Sequence, residues 1–257
     1  IGGVSMKIAC IQLDVAFAKP EKNFHNVQKL IEKVVSEGAE LVVLPEMWNT
    51  AYALTALENL ADIEGERTKK FLSDLARTHH IHIVGGSVST KKGVNFYNTM
   101  YVYSNDGELV DEHLYLQAGN KENMFSLGSI QAGGVICYDL RFPEWLRAHA
   151  LAGAKVLFIP AQWPSTRIDH WKILLQARAI ENQCFVIAVN RIGSDPNNQF
   201  NGQSMIIAPW GKVLWTGTEH EEYAVIDVDF SEVEEVRTRI PVYEDRRPSL
   251  YLPLFEK

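Results

Sequence analysis

Two residues in this chain have the type and placement to break a covalent bond. Cys137 closes the apolar run in GGVICYDLRFPEW (133–145), and Glu46 closes LVVLPE (41–46). In α/β sheets, ligands collect beyond the carboxyl ends of strands. A free cysteine taken alone is most often a core residue. Cys137, however, sits where a strand gives way to a helical segment. Backbone N–H groups at such a turn favour a thiolate and an oxyanion. Cys10 lies inside an apolar strand and Cys184 between a helix end and a strand, so both read as core. Glu46 costs desolvation unless it is paired. A cap or salt bridge and a general base with a raised pKa are equally good readings of it. A thiol titrates near ~8.5, so a neighbouring carboxylate would supply the base it lacks at neutral pH. A third strand, VLFIPA, runs into Gln162, Trp163 and Pro164.

Other polar groups read as structural. Trp171, Leu174, Leu175 and Arg178 share one helical stripe, so Arg178 needs a buried acceptor, and Glu181 is three residues on. Arg141 and Glu144 repeat that spacing, and Asp139 helps to shape the turn after Cys137. His113, His149 and His170 are rival bases for a Cys–His hydrolase, but none stands at a strand end. Gly85-Gly86 and Gly133-Gly134 match no phosphate or dinucleotide loop, and the latter pair reads as room for approaching backbone. No metal-ligand spacing is present.

Positioning these residues requires strands that alternate with amphipathic helices. Helices are predicted at 21–37, 66–79, 143–152, 170–182 and 231–239 from apolar spacing. Strands are predicted at 7–14, 41–46, 81–88, 96–104, 130–139, 156–161 and 185–190, followed by QSMIIAP, VLWTG and YAVIDVD. Asn105-Asp106-Gly107 and Pro209-Trp210-Gly211-Lys212 read as turns. The pattern is two βαβα-like halves with a hairpin region between them. Two sheets packed face to face, with helices outside, fit it better than a single sheet.

Bulk properties set outer limits. The 257 residues are 46% hydrophobic and 22% charged, with a net charge of -7. This suits a soluble globular chain and offers no dedicated nucleic-acid surface. No apolar run approaches the ~18 residues of a membrane span. IGGVSMKIAC lacks the pattern of a signal peptide, and residues 1–5 are expected to be a cloning remnant or an unstructured lead-in. Residues 6–257 are expected to form one domain. Three cysteines at distant positions make no disulfide framework, which points to the cytoplasm.

LVVLPEMW around Glu46, GGVICYDLRFPEW around Cys137, and GAKVLFIPAQWP followed by HWKILLQARAIENQCFVIAVNR resemble the carbon–nitrogen hydrolase (nitrilase) superfamily. The likeness runs from about Lys7 to Val242. It implies a four-layer αββα sandwich that assembles as a homodimer or larger homo-oligomer. It also implies a Glu-Lys-Cys triad acting on non-peptide C–N bonds, with no metal or organic cofactor. Cys137 matches the nucleophile and Glu46 the base. Glu112 matches a second glutamate that positions lysine and substrate. The N–H of Tyr138 is expected to hold the oxyanion together with the lysine.

That lysine is missing from its usual place, a stretch like Tyr-x-Lys-x-His-Leu after the strand that GELV (107–110) resembles. No Lys or Arg occurs between Lys92 and Lys121. Lys121 and Lys155 are wrongly placed for the role. The expectation is that a short strand and loop belong between Val110 and Asp111. A genuine deletion there would leave a non-catalytic binding protein. Within the superfamily, CYDLRFPEW, AQWP and RAIENQ look most like omega-amidases, which hydrolyse monoamides of small dicarboxylic acids such as 2-oxoglutaramate. A distal carboxylate needs a cation, and Arg167 and Arg191 are candidates. A nitrilase would use the same cysteine on a nitrile.

Overall fold

Neighbouring residues of the central strands bury into different cores. Ile8 and Cys10 enter one core, Ala9 and Ile11 another, as the two-residue period of a strand requires. The computed structural model describes residues 4–115 and 123–255. In chain order its strands are β1 (Ser5–Gln12), β2 (Leu41–Val43), β3 (Asp62–Ile63), β4 (His82–Lys92), β5 (Asn95–Tyr103), β6 (Leu109–Tyr115), β7 (Met124–Leu127) and β8 (Ile130–Gly134). They continue with β9 (Val156–Ala161), β10 (Phe185–Asn190), β11 (Ile192–Ser194), β12 (Gln199–Asn201), β13 (Met205–Ile207), β14 (Val213–Thr216) and β15 (Glu222–Asp229).

One sheet has the order β15-β1-β2-β4-β5-β6, with β3 beside β4, and the other β14-β13-β10-β9-β8-β7. Each has a parallel trio at its centre, β1-β2-β4 in the first and β8-β9-β10 in the second, flanked by antiparallel strands. Strands of a parallel trio all end at the same edge, which is where a site can form.

The two sheets face each other across a core that includes Ile8, Leu41, Val43, Met100, Val102, Phe158 and Ile187. Helices α1 (Pro20–Ser36) and α3 (Glu66–His79), with the single turn α2 (Leu57–Leu60) between them in sequence, lie on the first sheet's side. Val27, Ile31, Leu72 and Leu75 pack there against Val42 and Leu44. Helices α4 (Pro143–Leu151) and α5 (Ile168–Asn182) cover the second sheet through Leu146, Trp171 and Leu175. The result is the four-layer αββα sandwich. Helix α6 (Ser231–Arg239) follows β15.

Four expectations are corrected. The strand predicted at 130–139 stops at Gly134, and Cys137–Arg141 is a 3-10 turn. A Cβ at Gly134 would meet the Met100 and Asn123 side chains, so this glycine makes room for side chains rather than backbone. Val110 and Asp111 are consecutive residues of β6, and no strand and loop intervene. Asp111 pairs with Val102 and Leu109 with Tyr103, leaving Val110 as a bulge at the junction. Strand β1 also begins at Ser5, inside the expected lead-in.

Candidate active site

Glu46 stands one turn beyond the end of β2. The segment carrying it is fastened to β4: Met47 N–H donates to Ser87 Oγ at 3.0 Å, and Trp48 Nε1 donates to Gly85 O at 2.8 Å. Gly86 is in the left-handed region at φ 58°, and a Cβ there would lie 2.0 Å from Pro45 O. Only glycine permits this close passage. Glu46 itself is 2% exposed.

Among the described residues, four groups reach its carboxylate. Tyr52 Oη donates to Oε1 at 2.5 Å and Asn98 Nδ2 donates to the same oxygen at 2.8 Å. Gln162 N–H donates to Oε2 at 2.8 Å, and its side-chain Nε2 holds the Glu46 carbonyl at 2.8 Å. The fourth group is the Cys137 thiol. Burial pushes the Glu46 pKa up, and the hydrogen bonds from Tyr52, Cys137, Gln162 and Asn98 oppose that rise.

Cys137 opens its 3-10 turn at φ 42°, a left-handed conformation that costs a non-glycine residue energy. Its surroundings hold it there. Asp139 Oδ2 accepts the Ile136 N–H at 2.9 Å and shapes the turn. Arg178 of α5 donates twice to Leu140 O, at 3.1 and 2.8 Å, and once to Glu181 at 3.0 Å. Arg178 thus finds the buried acceptor its stripe demanded, and it braces the turn that presents the sulfur. The thiol's pKa is pushed well up, first by burial and then by the Glu46 charge. The Gln162 N–H is the backbone group that opposes this rise, and it comes from the end of β9 rather than from the turn itself. The thiol is therefore protonated at rest, and thiolate forms as its proton passes to Glu46.

The pair opens onto a cavity of about 400 Å³ lined by Tyr52, Cys137, Tyr138, Arg141, Gln162, Trp163, Pro164, Arg167, Asn198 and Phe200. The Arg141 guanidinium lies 4.7 Å from the centre of the Trp163 ring. Neither Arg141 nor Arg167 pairs with a carboxylate among the described residues. Tyr138 is 65% exposed and packs edge-on against Phe142.

Of the residues singled out by sequence, Glu46, Cys137, Tyr138 and Arg167 come together here. Glu112 and Arg191 do not. Glu112 pairs with Tyr101, whose ring belongs to the core beneath α1 and α3, and it binds Lys92 and, at 3.5 Å, Lys69 of α3. Strand parity turns it to the outer face, away from the sulfur. Arg191 is fully buried, with Nη2 on Val15 O at 2.6 Å, Nε on Ile192 O at 2.9 Å and Nη1 on Gln162 Oε1 at 3.2 Å. Its donors are spent on the protein, so it braces Gln162 and is not free for a substrate carboxylate.

His149 and His170 do not reach the thiol. His149 is buried against Trp145 O at 2.8 Å and accepts the Asn123 N–H, and His170 is exposed on α5. The His113 side chain and Lys121 lie outside the described residues. Tyr52, Asn98 and Arg141 were missed as site residues. Tyr52 has no periodic context, Asn98 sits mid-strand, and Arg141 was assigned a structural role. Among the described residues, no cluster of His, Cys, Asp and Glu could hold a metal ion, and no helix is long and apolar enough to cross a membrane.

Comparison with known proteins gives consistent findings. The model of the family described as carbon-nitrogen hydrolase matches residues 7–238. A 2-oxoglutaramate amidase of Bacillus subtilis is 46% identical over 256 residues, covering 95% of this chain and 98% of the relative. Omega-amidase NIT2 of Mus musculus is 30% identical, covering 96% of this chain and 97% of the relative. Among solved structures, Nit3 of Saccharomyces cerevisiae superposes with a TM-score of 0.87 at 28% identity, covering 92% of this chain and 94% of that one.

Proposed function

The chain belongs to the carbon–nitrogen hydrolase family, and from this premise we propose that it is a thiol-dependent amidohydrolase for small linear amides. The observation that carries the reading is the buried Glu46 carboxylate beside the thiol of Cys137, which lines an open cavity. Glu46 takes the thiol proton as Sγ attacks the amide carbon. The oxyanion accepts the Tyr138 N–H. The tetrahedral adduct collapses as Glu46 returns the proton to nitrogen, the C–N bond breaks, and ammonia leaves a thioester on Cys137. Glu46 then deprotonates water, which attacks the thioester, releases the acid and restores the thiol.

The substrate side chain is anionic in this reading. Arg141 and Arg167 line the same cavity as the sulfur, without a carboxylate partner among the described residues. The relative that is 46% identical is named for 2-oxoglutaramate. A dicarboxylic acid monoamide of that size gives one end to Cys137 and the other to a guanidinium. Arg141→Met is expected to raise KM for such an amide about 10- to 100-fold and to leave a neutral amide of equal length unchanged.

A second reading rests on one specific observation. No lysine or arginine hydrogen-bonds Glu46 or Cys137 among the described residues, where the family pattern implies a cation for the oxyanion. Loss of one such donor costs about 10²- to 10³-fold in rate. A protein that binds the amide without turning it over is the extreme of that effect. Ammonia release from matched amides and nitriles decides. Slow release from the anionic amide, lost in Cys137→Ala, supports the amidase. Release from the nitrile alone makes it a nitrilase, and binding without release makes it a binding protein.

The reading extends to one domain over residues 6–257, supported by the core that both sheets share. It places the chain in the cytoplasm, supported by three free cysteines. It includes a homodimer or larger homo-oligomer, supported by Ile173 and Ile180, exposed one above the other on α5. Light scattering in solution tests the assembly.

A further inference from the structure

Among the described residues, every hydrogen-bond donor on the Glu46 carboxylate is neutral. They are the Tyr52 hydroxyl, the Asn98 amide, the Gln162 N–H and the Cys137 thiol. A buried carboxylate is driven toward its protonated form unless something favours its charge. A protonated Glu46 cannot take the proton of Cys137.

We infer that Tyr52, seconded by Asn98, is a positioning residue for the base: its hydroxyl keeps Glu46 ionised and leaves one carboxylate face for the thiol. This rests on the amidase reading of the same site. Tyr52 and Asn98 both donate to Oε1, from the segment after β2 and from the middle of β5. The Gln162 N–H borders both Oε2 and the sulfur. Oε1 is thus saturated, and Oε2 is the oxygen on the side of the thiol.

Tyr52 suits a permanent donor. Its hydroxyl is pushed well above the usual tyrosine value, first by burial and then by the Glu46 charge, so it keeps its proton throughout the working range. The titratable groups that act on the pair are Tyr52 and Cys137 themselves, with Asp195 reaching Tyr52 and Asp139 reaching Cys137 through charge. Tyr52 also lines the cavity, so its removal is felt at the reacting thiol and not only in packing.

Tyr52→Phe tests this, because it keeps the ring and removes the donor. Without that hydrogen bond the carboxylate holds its proton to higher pH. The acid limb of kcat/KM for the anionic amide is expected to move up by about one pH unit, with KM unchanged. Alkylation of Cys137 by iodoacetamide is expected to show the same upward move of its acid limb, and this readout needs no amide turnover. An unmoved acid limb in both assays, with kcat lowered equally at every pH, would overturn the inference and leave Tyr52 as filling. A shifted alkylation limb in a protein that releases no ammonia would keep the inference and defeat the amidase reading. If Tyr52→Phe does not fold, Asn98→Ala carries the same two assays, with the same direction expected and the same result overturning it.

Discussion

The corner where β2 and β9 end and the edge formed by β5 and β6 are built to different standards. At the corner, each reactive group is tied from several directions. Glu46 is gripped by Tyr52, Asn98 and Gln162, and the turn after Cys137 is held by Asp139 and by Arg178 through Leu140. Gln162 is itself braced by Arg191. At the β6 edge, two acidic residues come directly after a bulge. Asp111 keeps a buried Oδ2 with no partner among the described residues, and Glu112 turns outward to Lys69 and Lys92. The difference teaches that the acid–thiol half of the site is self-sufficient. The charge-stabilising half, which the family pattern puts after that strand, is not supplied by β6.

The largest effect is expected from Glu46→Gln, which removes the base at the corner. Ammonia release should fall by about 10³-fold or more with the fold intact by circular dichroism, and a loss below tenfold would take the corner out of the chemistry. Gly86→Ala comes next. Its Cβ would press on Pro45 O in a left-handed backbone. Denaturant unfolding should show a loss of about 2–4 kcal/mol, with activity falling alongside, and an unchanged midpoint would mean that the Glu46 segment is not fixed by β4.

Asp111→Asn probes the edge. Burial, and then the Glu112 charge, push the Asp111 carboxyl up to about 6. Between its ordinary value near ~3.9 and about 6, the folded chain keeps a proton that the unfolded chain has lost, so this group lowers stability as pH rises through that window. Asparagine removes the penalty. The variant should be more stable than the parent by about 1 kcal/mol at pH 8 and equal to it at pH 4. A difference that does not change with pH would contradict the burial of an unpaired carboxyl. The smallest effect is expected from Glu112→Gln. Its partly exposed ion pairs are worth about 1 kcal/mol or less, and kcat should not change. A hundredfold loss of kcat would return Glu112 to the site.

Much of the corner was legible because strand ends are visible in sequence. LVVLP and VLFIPA are unbroken apolar runs, and the residues after them must emerge at a sheet edge. The 3-10 turn was hidden, because IQAGGVICYD continues the apolar run past the point where the strand stops. Partners were harder to find. Gln162 meets Glu46 from 116 residues away, and no spacing rule links them. Tyr52 lies in an aperiodic segment, and Asn98 in mid-strand reads like any polar strand residue. Glu112 was misplaced because likeness fixes a position along the chain but not the face of the strand. Its pairing with Tyr101 decides that face. Arg191 looked available just past a strand end, but the chain folds its own carbonyls around it.

The most direct test of the central claim is the mass of the protein quenched during turnover of the anionic amide. The Cys137–Glu46 account predicts a fraction heavier by the acyl group, with the adduct on the peptide that contains Cys137 and none in Cys137→Ala. Ammonia release that persists in Cys137→Ala, with no adduct in the parent, would contradict it.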